Sequence, residues 1–320
     1  MKKIPFITFA LFAFTTLASA QISNTKSDKE IVIKNSKICL KQDLTRGGAI
    51  NYISLADRDR NIVNIHDEGR YIQQSYYAGN AVDLRSDGQS EFWTPWCWNP
   101  IQVGDYATNR AQILEHWSKG RTSYVKCVPM LWDMDNSPAE ATMEQWVELK
   151  GNVIKVRNRL TCHRTDNVYG EGVPMPQEIP AVYLISSLKH LFSYFGDKPF
   201  AGEPITATKV VQIIVGDPEH PWGHYENISE KWMAFVDDSL WGCAVYTPSA
   251  TVFTAGRYDA VFDGESNDDG TVYIAPNRIE KLMKDSVMDS EYYLVVGTLE
   301  QMRKEIYKIN KRLSRVAPKR

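Results

Sequence analysis

Residues 30–55 read EIVIKNSKICLKQDLTRGGAINYISL, and this stretch indicates the fold class. Apolar and polar residues alternate in Glu30–Asn35 and again in Lys37–Lys41, which is the pattern of half-buried β-strands. Gly47-Gly48 follows as a turn, and the alternation resumes in residues 49–55. The chain after the first twenty residues is therefore expected to open as a β-meander.

Short segments of the same kind recur through the rest of the chain. Turn residues separate them, and they lie at 111–117, 123–132, 141–149, 153–162, 210–215, 231–236, 241–246, 271–275 and 290–296. Regular spacing of short strands favours a sandwich or barrel over alternating βα units. Gly151-Asn152 predicts a hairpin between two of the strands. We predict an all-β fold, a large antiparallel β-sandwich.

One helix is predicted at the C-terminal end. Thr298 and Gln301 fit a capping box, and apolar residues then recur at spacings of three and four as far as Leu313. The sequence thus predicts a sandwich with a C-terminal helix, and we expect that helix to pack on an edge of the sandwich.

The first twenty residues have the composition of a secretory signal peptide. Lys2 and Lys3 precede the apolar run Ile4–Leu17, and Ala18-Ser19-Ala20 supplies small residues at a cleavage site. We expect cleavage after Ala20 and a periplasmic or secreted protein. No later segment approaches the roughly 20 apolar residues that a membrane span needs.

Composition excludes several classes of protein. A net charge of -2 argues against a nucleic-acid partner. Five cysteines without a CxxC pair indicate neither a zinc site nor a complete disulfide framework, so at least one thiol should stay free. Phosphate-cradling glycine loops and metal-spaced histidines are absent, and we predict no metal site and no cofactor. Length allows one domain or two; because no linker divides residues 21–320, we predict a single β-sandwich domain there. The oligomeric state stays open.

Residues 64–105 combine hydrogen-bonding side chains and flat rings more densely than any other stretch. A pyranose has hydroxyl edges and an apolar C–H face, so its site needs planar donors and acceptors beside an aromatic platform. Each ring taken alone suits a core position equally well. The predicted substrate-binding residues are Asp67, Gln73, Gln74, Tyr76, Tyr77, Trp93, Trp96 and Trp98.

Three side chains are candidates for catalysis. Glu178 lies between two prolines in an irregular connection, where its carboxylate is stiffly placed, although a surface charge on a loop is the alternative. Arg70 is expected to face the same site, with Gln73 and Gln74; an Arg70–Glu178 ion pair that ties two loops together is the competing interpretation. His116 is a third candidate, and a satisfied core or surface histidine is its alternative.

The order of these features resembles a family of exported bacterial proteins in the galactose-mutarotase-like superfamily. The motifs that carry the resemblance are Gly47-Gly48, Asn64…Asp67-Glu68-Gly69-Arg70…Gln73-Gln74-Ser75-Tyr76, Glu144-Gln145-Trp146, Gln177-Glu178-Ile179-Pro180-Ala181 and Trp241-Gly242…Tyr246. The resemblance implies a large β-sandwich of the kind shared by sugar epimerases, several glycoside hydrolases and polysaccharide lyases. Gly69-Arg70 is similar to the glycine–arginine stretch that contacts sugar in the epimerases. Their histidine-acid and glutamate-base motif has no clean match here, so those roles are not carried over.

The residue types allow more than one chemistry. Glycoside hydrolysis needs two carboxyl groups, one of them protonated. Elimination from a uronate needs a base and a group that stabilises the enolate. We predict a carbohydrate-active protein that acts on a poly- or oligosaccharide, as a glycoside hydrolase or a polysaccharide lyase. A non-catalytic carbohydrate-binding protein and a sugar epimerase are the alternatives.

Overall fold

A computed structural model describes residues 29–165, 167–205, 207–213, 221–258 and 263–316. The predicted signal peptide, residues 1–20, lies outside the described residues. Within the described ranges, no helix combines the length and the apolar character needed to cross a membrane.

Twenty-one strands and one α-helix make up the regular structure of these ranges, together with three short 3-10 helices at Leu44–Arg46, Arg85–Asp87 and Glu91–Trp93. In chain order they are β1 (Glu30–Lys34), β2 (Ile38–Asp43), β3 (Ala49–Leu55), β4 (Ile72–Ser75), β5 (Ala78–Val82), β6 (Trp96–Trp98), β7 (Pro100–Ile101), β8 (Gln112–Lys119), β9 (Thr122–Val128), β10 (Met130–Leu131), β11 (Ala141–Lys150), β12 (Val153–Cys162), β13 (Met175–Ile185), β14 (His190–Ser193), β15 (Ala207–Thr208), β16 (Gly223–Tyr225), β17 (Trp232–Val236), β18 (Trp241–Tyr246), β19 (Val252–Tyr258), β20 (Thr271–Glu280), β21 (Val287–Thr298) and α1 (Leu299–Val316).

The strands form two large sheets and one hairpin. The first sheet follows the order β1-β2-β3-β4-β13-β20-β19-β16, and β7 and β10 extend it from β4. The second follows β15-β14-β17-β18-β21-β12-β11-β9-β8, while β5 and β6 pair separately. Strand pairs run antiparallel throughout, as in β11 and β12, where the turn at Gly151-Asn152 confirms the predicted hairpin.

The two sheets pack face to face around one apolar core. Leu40 and Val182 from the first sheet join Val147 and Leu294 from the second in a single cluster of buried side chains. Side chains alternate across a strand, so the neighbours of these residues point away from the core. The predicted antiparallel β-sandwich is confirmed.

Helix α1 has the predicted cap but a different position. The amide of Gln301 donates to Thr298 Oγ1 at 3.3 Å, and the amide of Thr298 donates to Gln301 Oε1 at 3.1 Å. Met302 and Ile306 of the helix pack with Trp232 and other side chains on the outer face of the second sheet. The helix therefore covers inner strands of that sheet, β18 and β21, and the expectation that it packs on an edge was wrong.

The proline-containing segment around Glu178 is a strand, not an irregular connection. β13 lies between β4 and β20 and pairs with both. Its register shifts between Glu178 and Val182, so Pro180, which has no N–H to donate, falls where the ladder is already interrupted. Glu178 therefore lies on an inner strand of the first sheet, directly before the register shift.

Cys39, Cys97, Cys127 and Cys243 are free and buried, which confirms that at least one thiol stays unpaired.

Candidate functional site

A cleft of about 460 Å³ lies on the first sheet, on the face opposite the sandwich core. Side-chain alternation explains the position: Val182 and Ile274 point into the core, while Ala181, Tyr183 and Tyr273 point outward into a separate cluster. Residues of β4, β13, β19 and β20 form the floor of the cleft, and the segments after β3 and β5 contribute its walls.

Glu178 is the half-buried carboxyl group on the floor of this cleft. Its direct cross-strand neighbours are Ser75 on β4 and Asn277 on β20. The hydroxyl of Tyr273 donates a hydrogen bond to Glu178 Oε1, and the hydroxyls of Ser75 and Tyr77 also bond to this carboxyl. Three hydroxyl groups, from β4, β20 and the link between β4 and β5, therefore surround one acid.

Burial raises the pKa of Glu178, and the three hydroxyl donors offset only part of that rise. The phenols beside it respond in the same direction: burial and the nearby Glu178 raise the pKa of both Tyr77 and Tyr273 well above the ordinary value. The tyrosines thus keep their protons, and the carboxyl group of Glu178 is biased towards its protonated form.

Arg70 lines the cleft beside this acid and is held on all sides. Its Nε lies 3.3 Å from Asp67 Oδ2, and one terminal nitrogen lies 3.1 Å from Asp269 Oδ1. The rings of Tyr183 and Tyr258 flank the guanidinium at 5.6 and 5.3 Å. Arg70 pairs with these two aspartates and not with Glu178, so the alternative ion pair between two loops does not form.

The loop before β4 positions Arg70 through Gln73. The side-chain nitrogen Nε2 of Gln73 donates to the backbone carbonyl oxygens of Arg70, at 2.7 Å, and of Glu68, at 3.1 Å. The side-chain oxygen Oε1 accepts from the backbone amide of Val103. Glu68 turns away from the cleft to pair with Arg46. Gln73 lines the cleft, but its amide group is fully used to brace the loop.

Asp67 is the second carboxylate at the cleft. It accepts from the amide of Gly69 at 2.8 Å and pairs with Arg70. A Cβ at Gly69 would come within 3.3 Å of Trp132, so the glycine lets that ring pack closely against the loop.

Tryptophan rings form one wall. Trp93 packs edge-on against Trp96 at 5.2 Å and against Trp132 at 5.9 Å, and all three are partly exposed and line the cleft. On the other side, Trp222 packs on Tyr273 at 4.4 Å. The cleft therefore offers ring surfaces on both sides of its polar floor.

The structure brings together only part of the predicted set. Arg70, Glu178 and the predicted binding residues that line the cleft stand together: Asp67, Gln73, Tyr77, Trp93 and Trp96. Gln74 and Tyr76 are buried and bond to each other at 3.0 Å, and Trp98, only 1% exposed, belongs to a second apolar core cluster. His116 is exposed on the edge strand β8 of the other sheet, apart from the cleft lining.

Sequence reasoning missed several cleft residues: Ser75, Trp132, Tyr183, Trp222 and Tyr273. For Tyr183 and Tyr273 a signal existed, since each is the outward-facing position of an otherwise apolar strand. Trp132 and Trp222 carry no such signal, because only their tertiary contacts bring them to the cleft. Among the described residues, no three His, Cys, Asp or Glu side chains cluster as metal ligands.

Comparison with known proteins gives similarity of architecture alone. No family model matches the chain, and no curated protein matches it. A putative aldose 1-epimerase from Escherichia coli is 11% identical, with a TM-score of 0.48 over 84% of this chain and 99% of that one. A galactose mutarotase-like protein from Lactobacillus casei is 10% identical, with a TM-score of 0.48 over 83% and 99%. An α-galactosidase from Geobacillus stearothermophilus is 13% identical, with a TM-score of 0.46 over 86% and 41%.

Proposed function

We propose that this protein is a carbohydrate-active enzyme whose cleft binds a glycan and whose acid is Glu178. The observation that carries the proposal is the carboxyl group of Glu178, half-buried on the cleft floor among three hydroxyls, with its pKa raised by burial. An acid with a raised pKa keeps its proton to a higher pH than an ordinary glutamate does and can donate it to a leaving oxygen.

The surrounding side chains supply the other requirements of sugar chemistry. The tryptophan wall and Trp222 offer platforms for the C–H faces of sugar rings. Asp67, held by Arg70, is the second carboxylate that hydrolysis of a glycosidic bond needs. In this proposal Glu178 protonates the glycosidic oxygen, and Asp67 supports the positive charge that develops on the ring or activates water.

Hydrolysis fits this site better than elimination does. Elimination needs a base that removes a proton beside a carboxylate, and tyrosine or histidine commonly fills that role. The raised pKa of Tyr77 and Tyr273 opposes the loss of their protons. No histidine lines the cleft in the described part of the chain.

The test is turnover on a panel of plant and host polysaccharides. Reducing ends report hydrolysis, absorbance of unsaturated uronates reports elimination, and optical rotation reports epimerisation of free sugars. We expect new reducing ends from the wild-type protein. We further expect their rate to fall as the pH rises through the raised pKa of Glu178, since only its protonated form donates.

Glu178→Gln should lower turnover by orders of magnitude, with folding and glycan binding preserved. Glu291→Gln is the matched control, because Glu291 also accepts a hydrogen bond from a tyrosine hydroxyl but lies on the outer face of the other sheet. Arg70→Lys should also lower turnover, since a planar fork is lost. Equal turnover in Glu178→Gln and in wild type would rule out this acid.

A non-catalytic glycan-binding protein is the second candidate, and the paired ring walls favour it independently of any acid. Glycan binding without any product in all three assays would establish it.

We also propose export, on the basis of the signal-peptide pattern in residues 1–20. N-terminal sequencing of the protein from a bacterial host should find Gln21 first, and an intact Met1 in a cytoplasmic fraction would contradict the proposal.

A further inference from the structure

We infer that the cleft takes uncharged sugar rings and discriminates against glycans that carry carboxylate, sulfate or phosphate groups. This inference rests on the proposed function and narrows its substrate class. It follows from the charges that line the cleft and from the partners that those charges already have.

Arg70 is the one cation among the described residues that line the cleft. Within the described lining, an anionic substituent on a bound sugar therefore meets no cationic side chain other than Arg70.

Arg70 already has counter-charges of its own. Asp67 and Asp269 both pair with its guanidinium, and the carbonyl oxygen of Asp269 accepts from the same terminal nitrogen at 3.3 Å. Tyr183 and Tyr258 flank the group, and only 11% of the side chain is exposed. His66 Nε2 lies 3.6 Å from Asp269 Oδ1 and carries a charge only when it is protonated, so with His66 neutral the two carboxylates against one guanidinium leave this corner of the cleft with an excess of negative charge.

An anionic sugar would meet this excess of negative charge and would find no unpaired cation among the described lining residues. A carboxylate that loses its water and gains no counter-ion binds poorly, and like charges placed together across an interface suppress binding. A neutral ring needs partners for its hydroxyls and ring surfaces, and the cleft supplies both through Asp67, whose side chain is 46% exposed, and the tryptophan wall.

The test compares ligands that differ only in charge. Oligomers of α-1,4-galacturonate, β-1,4-glucuronate and β-1,4-mannuronate are each titrated by calorimetry beside the carboxyl-reduced oligomer of the same length and linkage. At low ionic strength, the neutral member of a pair should bind roughly tenfold more tightly or better, and salt should narrow the gap because it screens the repulsion. Tighter binding of a uronate than of its reduced partner by the wild-type protein would overturn the inference.

Asp269→Asn makes the mechanism itself testable. Asp269 does not line the cleft, so this change frees Arg70 while the surface that contacts the sugar stays intact. Uronate affinity should rise several-fold and neutral affinity should stay the same. Asp238→Asn is the matched control, since it removes one aspartate from an exposed pair with Lys189 and His190 on the other sheet. Equal uronate affinity in Asp269→Asn and wild type would overturn the assignment of selectivity to Arg70.

The outcomes also separate this inference from the proposed function. Preferential binding of neutral oligomers without turnover supports the charge selectivity and overturns the catalytic role. Binding of none of the six oligomers overturns the charge selectivity, while turnover of another glycan in the polysaccharide panel would still support the enzyme.

Discussion

Glu230 joins helix α1 to the second sheet, and removal of its main partner should weaken the fold strongly. Glu230 is 0% exposed, and its two oxygens accept five hydrogen bonds. Arg303 and Tyr307 of the helix donate at 2.6–3.2 Å, the indole of Trp232 at 2.8 Å and the amide of Phe200 at 2.9 Å. One buried anion therefore connects a helix, a strand and a loop.

The perturbation is Arg303→Met, which keeps an apolar stem and removes the charge. Breaking a buried ion pair from one side costs about 3–5 kcal/mol, because the remaining charge is left in the interior without compensation. A hydrogen bond from Arg303 to the carbonyl oxygen of Glu203 is lost as well. Against a typical unfolding free energy of about 5–15 kcal/mol, this is a large fraction.

The cost should depend on pH in a defined direction. Burial raises the pKa of Glu230. The hydrogen bonds that it accepts lower the pKa by more than burial raises it, so the pKa falls below the ordinary value of 4.5; the donors are Arg303, Tyr307, Trp232 and the Phe200 amide. A lowered folded-state pKa gives stability that is present above 4.5 and is lost as the pH falls through the lowered value. The difference between wild type and Arg303→Met should therefore shrink in acid.

Urea unfolding followed by circular dichroism at pH 7 and in acid measures both effects. Adding Glu230→Gln to Arg303→Met should recover part of the loss, because no charge then remains buried. Lys308→Met, which breaks an exposed pair with Glu305 on the same helix, should cost only about 0.3–0.5 kcal/mol. A loss below about 1 kcal/mol in Arg303→Met at pH 7, or the same loss at acid pH, would refute the reasoning.

Three further predictions concern the cleft and its supports. The difference in unfolding free energy between wild type and Glu178→Gln should favour wild type most below pH 4.5 and decline as the pH rises through the raised pKa of Glu178. The decline should be about 1.4 kcal/mol for each unit by which folding raises this pKa. A difference that does not depend on pH in urea unfolding would contradict this. Trp93→Ala should weaken glycan binding by about 1–3 kcal/mol in calorimetry with little change in Tm. Trp98→Ala leaves a cavity in the core and should cost about 3–5 kcal/mol of stability. A loss of stability in Trp93→Ala and a loss of binding alone in Trp98→Ala would assign Trp93 to the core and Trp98 to the binding site. Gly47→Ala should lower Tm, because its φ is +62° and the new Cβ would lie 1.9 Å from the carbonyl oxygen of Gln102; an unchanged Tm would show that the turn can rearrange.

The fold could be predicted from local patterns, because the alternation of apolar and polar residues in a strand and the capping of a helix both involve only a few neighbouring residues. The hairpin of β11 and β12 and the cap at Thr298 are both of this kind. β13 was misread because prolines normally interrupt a ladder, and sequence cannot show that a register shift beside Glu178 accommodates Pro180. The position of α1 depends on which sheet face is left bare, and that is a property of the whole sandwich.

Apart from placing Arg70 and Glu178 in one site, the sequence predicted cleft residues only where they are neighbours along the chain. Trp96 and Trp98 lie two positions apart, yet Trp98 is covered by distant chain, with the guanidinium of Arg164 5.8 Å from its ring, and Trp96 is not. The hydroxyl that bonds Glu178 comes from Tyr273, which is 95 residues away. Pairings over such distances are set by strand order, which composition and periodicity do not encode.

The buried thiols make this protein its own probe of local opening. Burial raises the pKa of Cys97, Cys127 and Cys243 to about 12, and it raises the pKa of Cys39 as well. A thiol reacts as its thiolate, so none of these four should be modified while its strand stays paired. Because Cys39 lies on β2 of one sheet and Cys127 and Cys243 on the other, the order in which a maleimide labels them during slow unfolding would show which layer of the sandwich separates first.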